Sequence, residues 1–190
     1  MDVSNEQAIS QRFDLTHEAD PVFSGHLKLG GANPEGHRIG FTSYYMTWDD
    51  QPYIPIMGEF HFSRYEHDYW EEELLKIKAG GVDIVATYVL WIHIEEEEGR
   101  FNWSGNNNLR KFVYLCGKHD LQAIVRIGPF AHGECRNGGI PDWLYGRPFQ
   151  VRSNDERYLA YVKRLYKEIG QQVEGLLFKD GGPVIGVQLE

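Results

Sequence analysis

The stretch Gly181-Gly-Pro-Val-Ile-Gly-Val-Gln-Leu-Glu190 decides how this chain is read. A Gly-Gly-Pro turn feeds a short apolar run, and the β-branched Val184, Ile185 and Val187 mark that run as a buried strand. It ends in Gln188 and Glu190. Polar groups delivered at the carboxyl end of a strand are what an α/β barrel uses for its chemistry.

Upstream, the same unit recurs. Residues 54–62 read as a strand that ends in Glu59 and His61, with Arg64 just beyond. A helix over 69–79 follows, capped by Asp68, stopped by Gly80-Gly81 and with Leu74, Leu75 and Ile77 on its apolar face. Residues 82–88 are nearly all apolar, as a parallel strand covered on both faces should be. A helix is expected over 109–119 and a strand over 121–127, followed by a polar loop over 131–139. A last helix over 156–172, capped by Asn154 and burying Leu159, Val162, Leu165, Tyr166 and Ile169, leads into the strand of the opening stretch.

Strand and helix alternating at this spacing predict a parallel sheet with helices outside it. No glycine-rich phosphate loop follows the first strand, which disfavours a dinucleotide-binding fold. The fold class expected is therefore α/β, the N-terminal half of a (β/α)8 TIM barrel. A whole barrel takes about 250 residues, and about four βα units are present. The half barrel is assigned to residues 41–190 and is expected to be truncated after its fourth strand. Ahead of it, residues 41–48 and 53–57 with a turn at 49–51 form a β-hairpin lead-in. Residues 1–40, broken by Pro21, Gly25, Gly30, Gly31 and Pro34, are expected to be irregular.

Composition narrows the partners. A net charge of −9 argues against nucleic acid and anionic membrane surfaces, both of which need a basic footprint. Cys116 and Cys135 form no metal-ligand or redox spacing, and Cys116 falls on the apolar face of a helix. The five tryptophans suit either core packing or stacking on sugar rings, and core packing is the commoner use. The first residues carry no basic stretch followed by an apolar run, so a cytoplasmic location is the default expectation.

Carboxylates stand at each strand end: Glu59, Glu95, Glu134 and Glu190. Cleaving a glycosidic bond needs a pair, one to protonate the leaving oxygen and one to attack or to activate water. In the acidic run from Glu95 to Glu98, at most one member is expected to point inward, because like charges repel. Glu134 is either a ligand for sugar hydroxyls or the ion-pair partner of Arg136. His61, His93 and His132 lack the spacing of a metal motif and read as hydrogen-bonding side chains. Tyr88 closes an apolar strand and is equally consistent with core packing. No nucleophile elbow of the GxSxG kind is present.

These residues also carry a resemblance. Gly58-Glu-Phe-His-Phe-Ser-Arg64, Thr87-Tyr-Val-Leu-Trp91, Arg126-Ile-Gly-Pro-Phe130, Gly133-Glu134, Gly138-Gly-Ile-Pro-Asp-Trp-Leu144 and Gly181-Gly-Pro183 with Gln188 and Glu190 stand in the order of the motifs of glycoside hydrolase family 35. The chain from about Pro52 to Glu190 resembles that family, the β-galactosidases of a retaining clan built on (β/α)8 barrels. Family 42 is a neighbouring resemblance that fits residues 133–144 less well.

The resemblance implies roles. Tyr88, Gly133 and Glu134 would contact the galactosyl unit. His61, Arg64, Trp91, Glu95, Arg126, Asn137, Gln188 and Glu190 would support them. The acid/base would be the residue next but one after Glu190, and the nucleophile would come from a later strand, so no catalytic carboxylate is expected within the chain. No metal or other cofactor is implied. The implied partner is a β-galactoside or related carbohydrate, with the remainder of the barrel required for activity. Two stretches depart from the family pattern. Trp91-Ile-His-Ile-Glu95-Glu96 stands where the family has W-N-x-H-E-P, and His132-Gly-Glu-Cys135 stands where it has C-A-E-W. The departures leave room for another β-linked sugar. A truncated chain that binds carbohydrate without catalysis is the remaining alternative.

Overall fold

The computed structural model describes residue 13 and residues 20–190. The first residues, read above for a secretory signal, lie outside that range, as does much of the expected lead-in. Strand begins earlier than the sequence suggests. β1 (Gly31–Ala32), β2 (Arg38–Phe41), β3 (Met46–Trp48) and β4 (Gln51–Tyr53) make an antiparallel sheet in that order. It therefore straddles the boundary expected at residue 40.

The expected continuous strand over 41–48 is broken. Thr42 Oγ1 accepts from the backbone N–H groups of Tyr44 and Tyr45, which bends the chain between β2 and β3. The expected turn at Asp49-Asp50 is present. Both residues have positive φ, 50° and 62°, as a two-residue hairpin turn demands. Asp49 also locks the hairpin onto β2 by accepting from Arg38 N at 2.7 Å and pairing with His37 Nδ1 at 2.7 Å.

The second sheet is the half barrel. β5 (Met57–Glu59), β6 (Ile84–Tyr88), β7 (Gln122–Gly128) and β8 (Val184–Leu189) run parallel in sequential order. Every residue of β6 is buried, because the strand has neighbours on both edges and covered faces. Among the described residues, β8 pairs with β7 and has no strand on its other edge. Val184 is buried, but Val187, expected inside, is 47% exposed.

Helices pack outside: α1 (Trp70–Ala79), α2 (Trp91–Ile94), α3 (Leu109–Lys118), α4 (Asp142–Tyr145) and α5 (Glu156–Val173). The amphipathic pattern puts Phe112, Val113 and Cys116 of α3 and Val162, Leu165 and Ile169 of α5 into one core, with Phe62 and Trp70 beside them. Leu75 and Leu159 are exposed, at the margins of the stripes expected to be buried.

Two caps differ from expectation. Asp68 makes no cap to α1; it pairs with His67 Nδ1 at 2.9 Å, and the helix entry is held by the Trp70 indole donating to Phe62 O and Tyr65 O. At α5 the cap is Asp155, accepting from Arg157 N at 3.0 Å, rather than Asn154. No helix of the described residues is long and apolar enough to cross a membrane.

Candidate active site at the strand ends

The parallel register fixes the site. Tyr88 of β6 lies beside Arg126 of β7, which lies beside Gln188 of β8. Glu59 ends β5, and Glu190 follows β8 with its N–H bonded to Gly128 O at 3.0 Å. Neighbouring parallel strands thus deliver a tyrosine, an arginine, an amide and two carboxylates to one end of the sheet.

The side chains join into one network. Tyr88 Oη donates to Glu190 Oε2 at 2.9 Å. His132 Nε2 meets Glu190 Oε1 at 2.8 Å. Arg126 pairs with Glu59, and its other terminal nitrogen lies 3.9 Å from Glu190 Oε2. The guanidinium carbon also lies over the Tyr88 ring, 3.7 Å from its centroid, a cation–π contact. Arg126 Nε has no hydrogen-bond partner among the described residues. The arginine therefore divides its charge between two carboxylates on strands to either side of it.

Loops close over this row. Arg64 donates to Gly133 O at 2.7 Å, tying the loop after β5 to the loop after β7. A side chain at Gly133 would begin 3.4 Å from the Tyr88 ring and 3.5 Å from His61 Nε2, so the backbone there runs close above both. Burial, aided by the carboxylate it donates to, holds the Tyr88 phenol above its usual range, so it remains a neutral donor. Burial and the nearby Arg64 and Arg126 outweigh Glu59 and hold the His61 imidazole below its usual value.

Of the residues singled out in the sequence, Tyr88, Gly133, His61, Arg64, Arg126, Gln188 and Glu190 come together here. Glu134 stands exposed at the rim with φ of 49°, and its alternative role falls away, because Arg136 pairs with Asp142 at 3.0 Å instead. Asn137 also turns to Asp142, donating at 2.6 Å, and so braces the loop before α4.

Trp91 and Glu95 form a second, buried cluster. One Glu95 oxygen accepts from Trp91 Nε1 at 2.7 Å; the other accepts from Gly99 N at 2.6 Å and pairs with Arg164 of α5. The Trp143 indole donates to Glu95 O at 2.9 Å. Of the acidic run, Glu95 alone is buried. With Trp91 also fully buried, these residues brace the helix layer and present no face to a sugar.

The partners of these side chains are not legible in the sequence. Arg164 lies on a helix far along the chain from Glu95, and nothing local links them. In the sequence His132 stands out with His61 and His93 as a possible ligand set and as a departure from the family pattern, and neither points to Glu190. The three are engaged separately: His61 Nδ1 faces Tyr88 N, His93 Nδ1 meets Ser63 Oγ at 2.9 Å, and His132 meets Glu190. Among the described residues the one grouping with metal-ligand proximity is the largely exposed Glu66, His67 and Asp68, outside this network.

Comparison with known proteins bears on the family and the fold. The profile of Glycosyl hydrolases family 35 matches residues 45–190. A β-galactosidase from Xanthomonas manihotis is 41% identical over 166 residues, which is 86% of this chain and 28% of that protein. A β-galactosidase from Bos taurus is 38% identical over 172 residues, 90% of this chain and 26% of that protein. The chain thus spans about a quarter of the length of these relatives. Among solved structures, an exo-beta-1,4-mannosidase from Opitutaceae bacterium strain TAV5 superposes with a TM-score of 0.57 at 15% identity, covering 84% of this chain and 26% of that one. A polyextremophilic beta-galactosidase from Halorubrum lacusprofundi superposes with a TM-score of 0.53 at 20% identity, covering 70% and 21%. At such identities the superpositions establish the half-barrel fold alone.

Proposed function

The chain belongs to glycoside hydrolase family 35, and on that premise we propose that it forms the first half of the catalytic barrel of a retaining exo-β-galactosidase. The observation that carries the reading is the Tyr88–Glu190–Arg126 network at the carboxyl ends of adjacent strands. Tyr88 and Glu134, with the backbone at Gly133, bind the galactosyl unit. Glu190 supports the acid/base, which follows it by one intervening residue on the same strand, and the nucleophile comes from a later strand. The acid/base protonates the leaving oxygen as the nucleophile takes the anomeric carbon. Water, deprotonated by the same acid/base, then releases the sugar with its configuration retained. The chemistry requires no metal or organic cofactor. Residues 1–190 alone, lacking both reacting carboxylates, are inactive in this reading.

A second reading keeps the class and changes the sugar. The segment from Trp91 to Glu96 departs from the family pattern. It turns Trp91, Ile94 and Glu95 into the interior and engages His93 with Ser63.

The experiment is hydrolysis of nitrophenyl glycosides by the full-length protein. Release of nitrophenol from the β-galactoside is expected, with none from residues 1–190. Cleavage of another β-glycoside but no β-galactoside moves the assignment to the second reading. Cleavage of neither overturns the class.

A further inference from the structure

His132 stands where the chain departs from the family pattern, and its Nε2 comes within 2.8 Å of the Glu190 carboxylate. The Glu190 side chain is only 20% exposed, while the His132 side chain is 57% exposed. The carboxylate is gripped at both oxygens. Tyr88 donates to Oε2 from β6, and His132 Nε2 meets Oε1 at 2.8 Å from the loop after β7. Arg126 and Gln188 both face Oε2, at 3.9 and 3.5 Å, so His132 is the sole side chain found on Oε1 among the described residues. Glu59 reaches this group through Arg126, and through His61, which stands against Tyr88. The imidazole itself is steadied by an edge-on contact with Phe130, at 4.9 Å between centroids.

We propose that His132 is a positioning residue: by holding Oε1 opposite Tyr88 it fixes the carboxylate of Glu190 and with it the end of β8. This rests on the β-galactosidase reading above. In an extended strand, residues two apart project to the same face. The side chain expected to act as acid/base therefore projects beside Glu190, and rotation or tilt at Glu190 displaces it. Without His132, Glu190 is free to swing about its bond to Tyr88, so the loss falls on the chemical step more than on binding of the sugar.

The test compares the full-length enzyme with His132→Ala and His132→Gln on nitrophenyl β-galactoside, with thermal melting to confirm folding. Removing a hydrogen bond to a charged group is expected to lower kcat of the alanine variant about tenfold or more while KM moves less than about twofold. The glutamine variant, whose amide nitrogen reaches the position of the imidazole Nε2, is expected to recover most of the loss, and free imidazole is expected to raise kcat of the alanine variant. Should the alanine variant not fold, the glutamine variant and His132→Asn, whose amide stops at the position of the imidazole Nδ1, carry the same comparison. Wild-type kcat and KM in the alanine variant overturn the proposal. So do equal losses in the alanine and glutamine variants with no response to imidazole. A wild-type enzyme inert toward every β-glycoside overturns the underlying reading, and the proposal with it.

Discussion

Glu95 shows how one buried carboxylate can organise a layer. It is fully buried and answers an indole N–H, a backbone N–H and a guanidinium. Removing one partner of such a set leaves the others desolvated and unpaired, which costs more than the pair itself contributes. Glu95→Ala is therefore expected to destabilise the barrel by about 3 kcal/mol in urea unfolding of the full-length protein. A loss below about 1 kcal/mol would show that the site relaxes or admits water. The sequence made one inward glutamate legible in the acidic run, through charge repulsion. It did not reveal Arg164, because the pairing arises from the placement of α5 against α2. Tyr88 was ambiguous for a similar reason: a strand-end tyrosine looks the same in sequence whether its hydroxyl meets core or carboxylate.

Elements were legible where periodicity was strong. β6, α3 and α5 lie close to their expected ranges, because an apolar run and a helical stripe each permit one burial pattern. Caps were less legible, since adjacent residues compete for the same N–H groups. Asn154 and Asp155 are both good cap residues; Asp155 wins by also pairing with Arg157 at 2.6 Å. That arginine, above all other causes, holds the Asp155 carboxyl down to about 2. The sign follows: the cap's contribution is complete above the ordinary value of 3.8 and is lost as pH falls through about 2. Asp155→Ala is expected to lower the thermal midpoint at neutral pH and Asn154→Ala to leave it unchanged. The reverse order would return the cap to Asn154.

At the scale of the molecule, the four parallel strands have no further strand on either edge of their sheet among the described residues. Ile54 and Ile56 before β5, and Val187 and Leu189 on β8, are exposed along those edges. Unpaired strand backbone beside apolar side chains is a surface that asks for further strands. The half barrel was legible from the alternation of strand and helix together with polar strand ends. The antiparallel sheet was legible only in part, because β1 and β2 are too short and too glycine-rich to stand out from a loop. The antiparallel sheet meets the half barrel through Trp48 of β3, which packs edge-on against Phe178, just ahead of β8. The most direct measurement is a crystal structure of the full-length protein with galactose bound. The account predicts a barrel closed across the β5 and β8 edges, with galactose within hydrogen-bonding distance of Tyr88 and Glu134, above the row of Arg126 and Glu190. Galactose bound elsewhere, with the Tyr88–Glu190 network untouched, would contradict it.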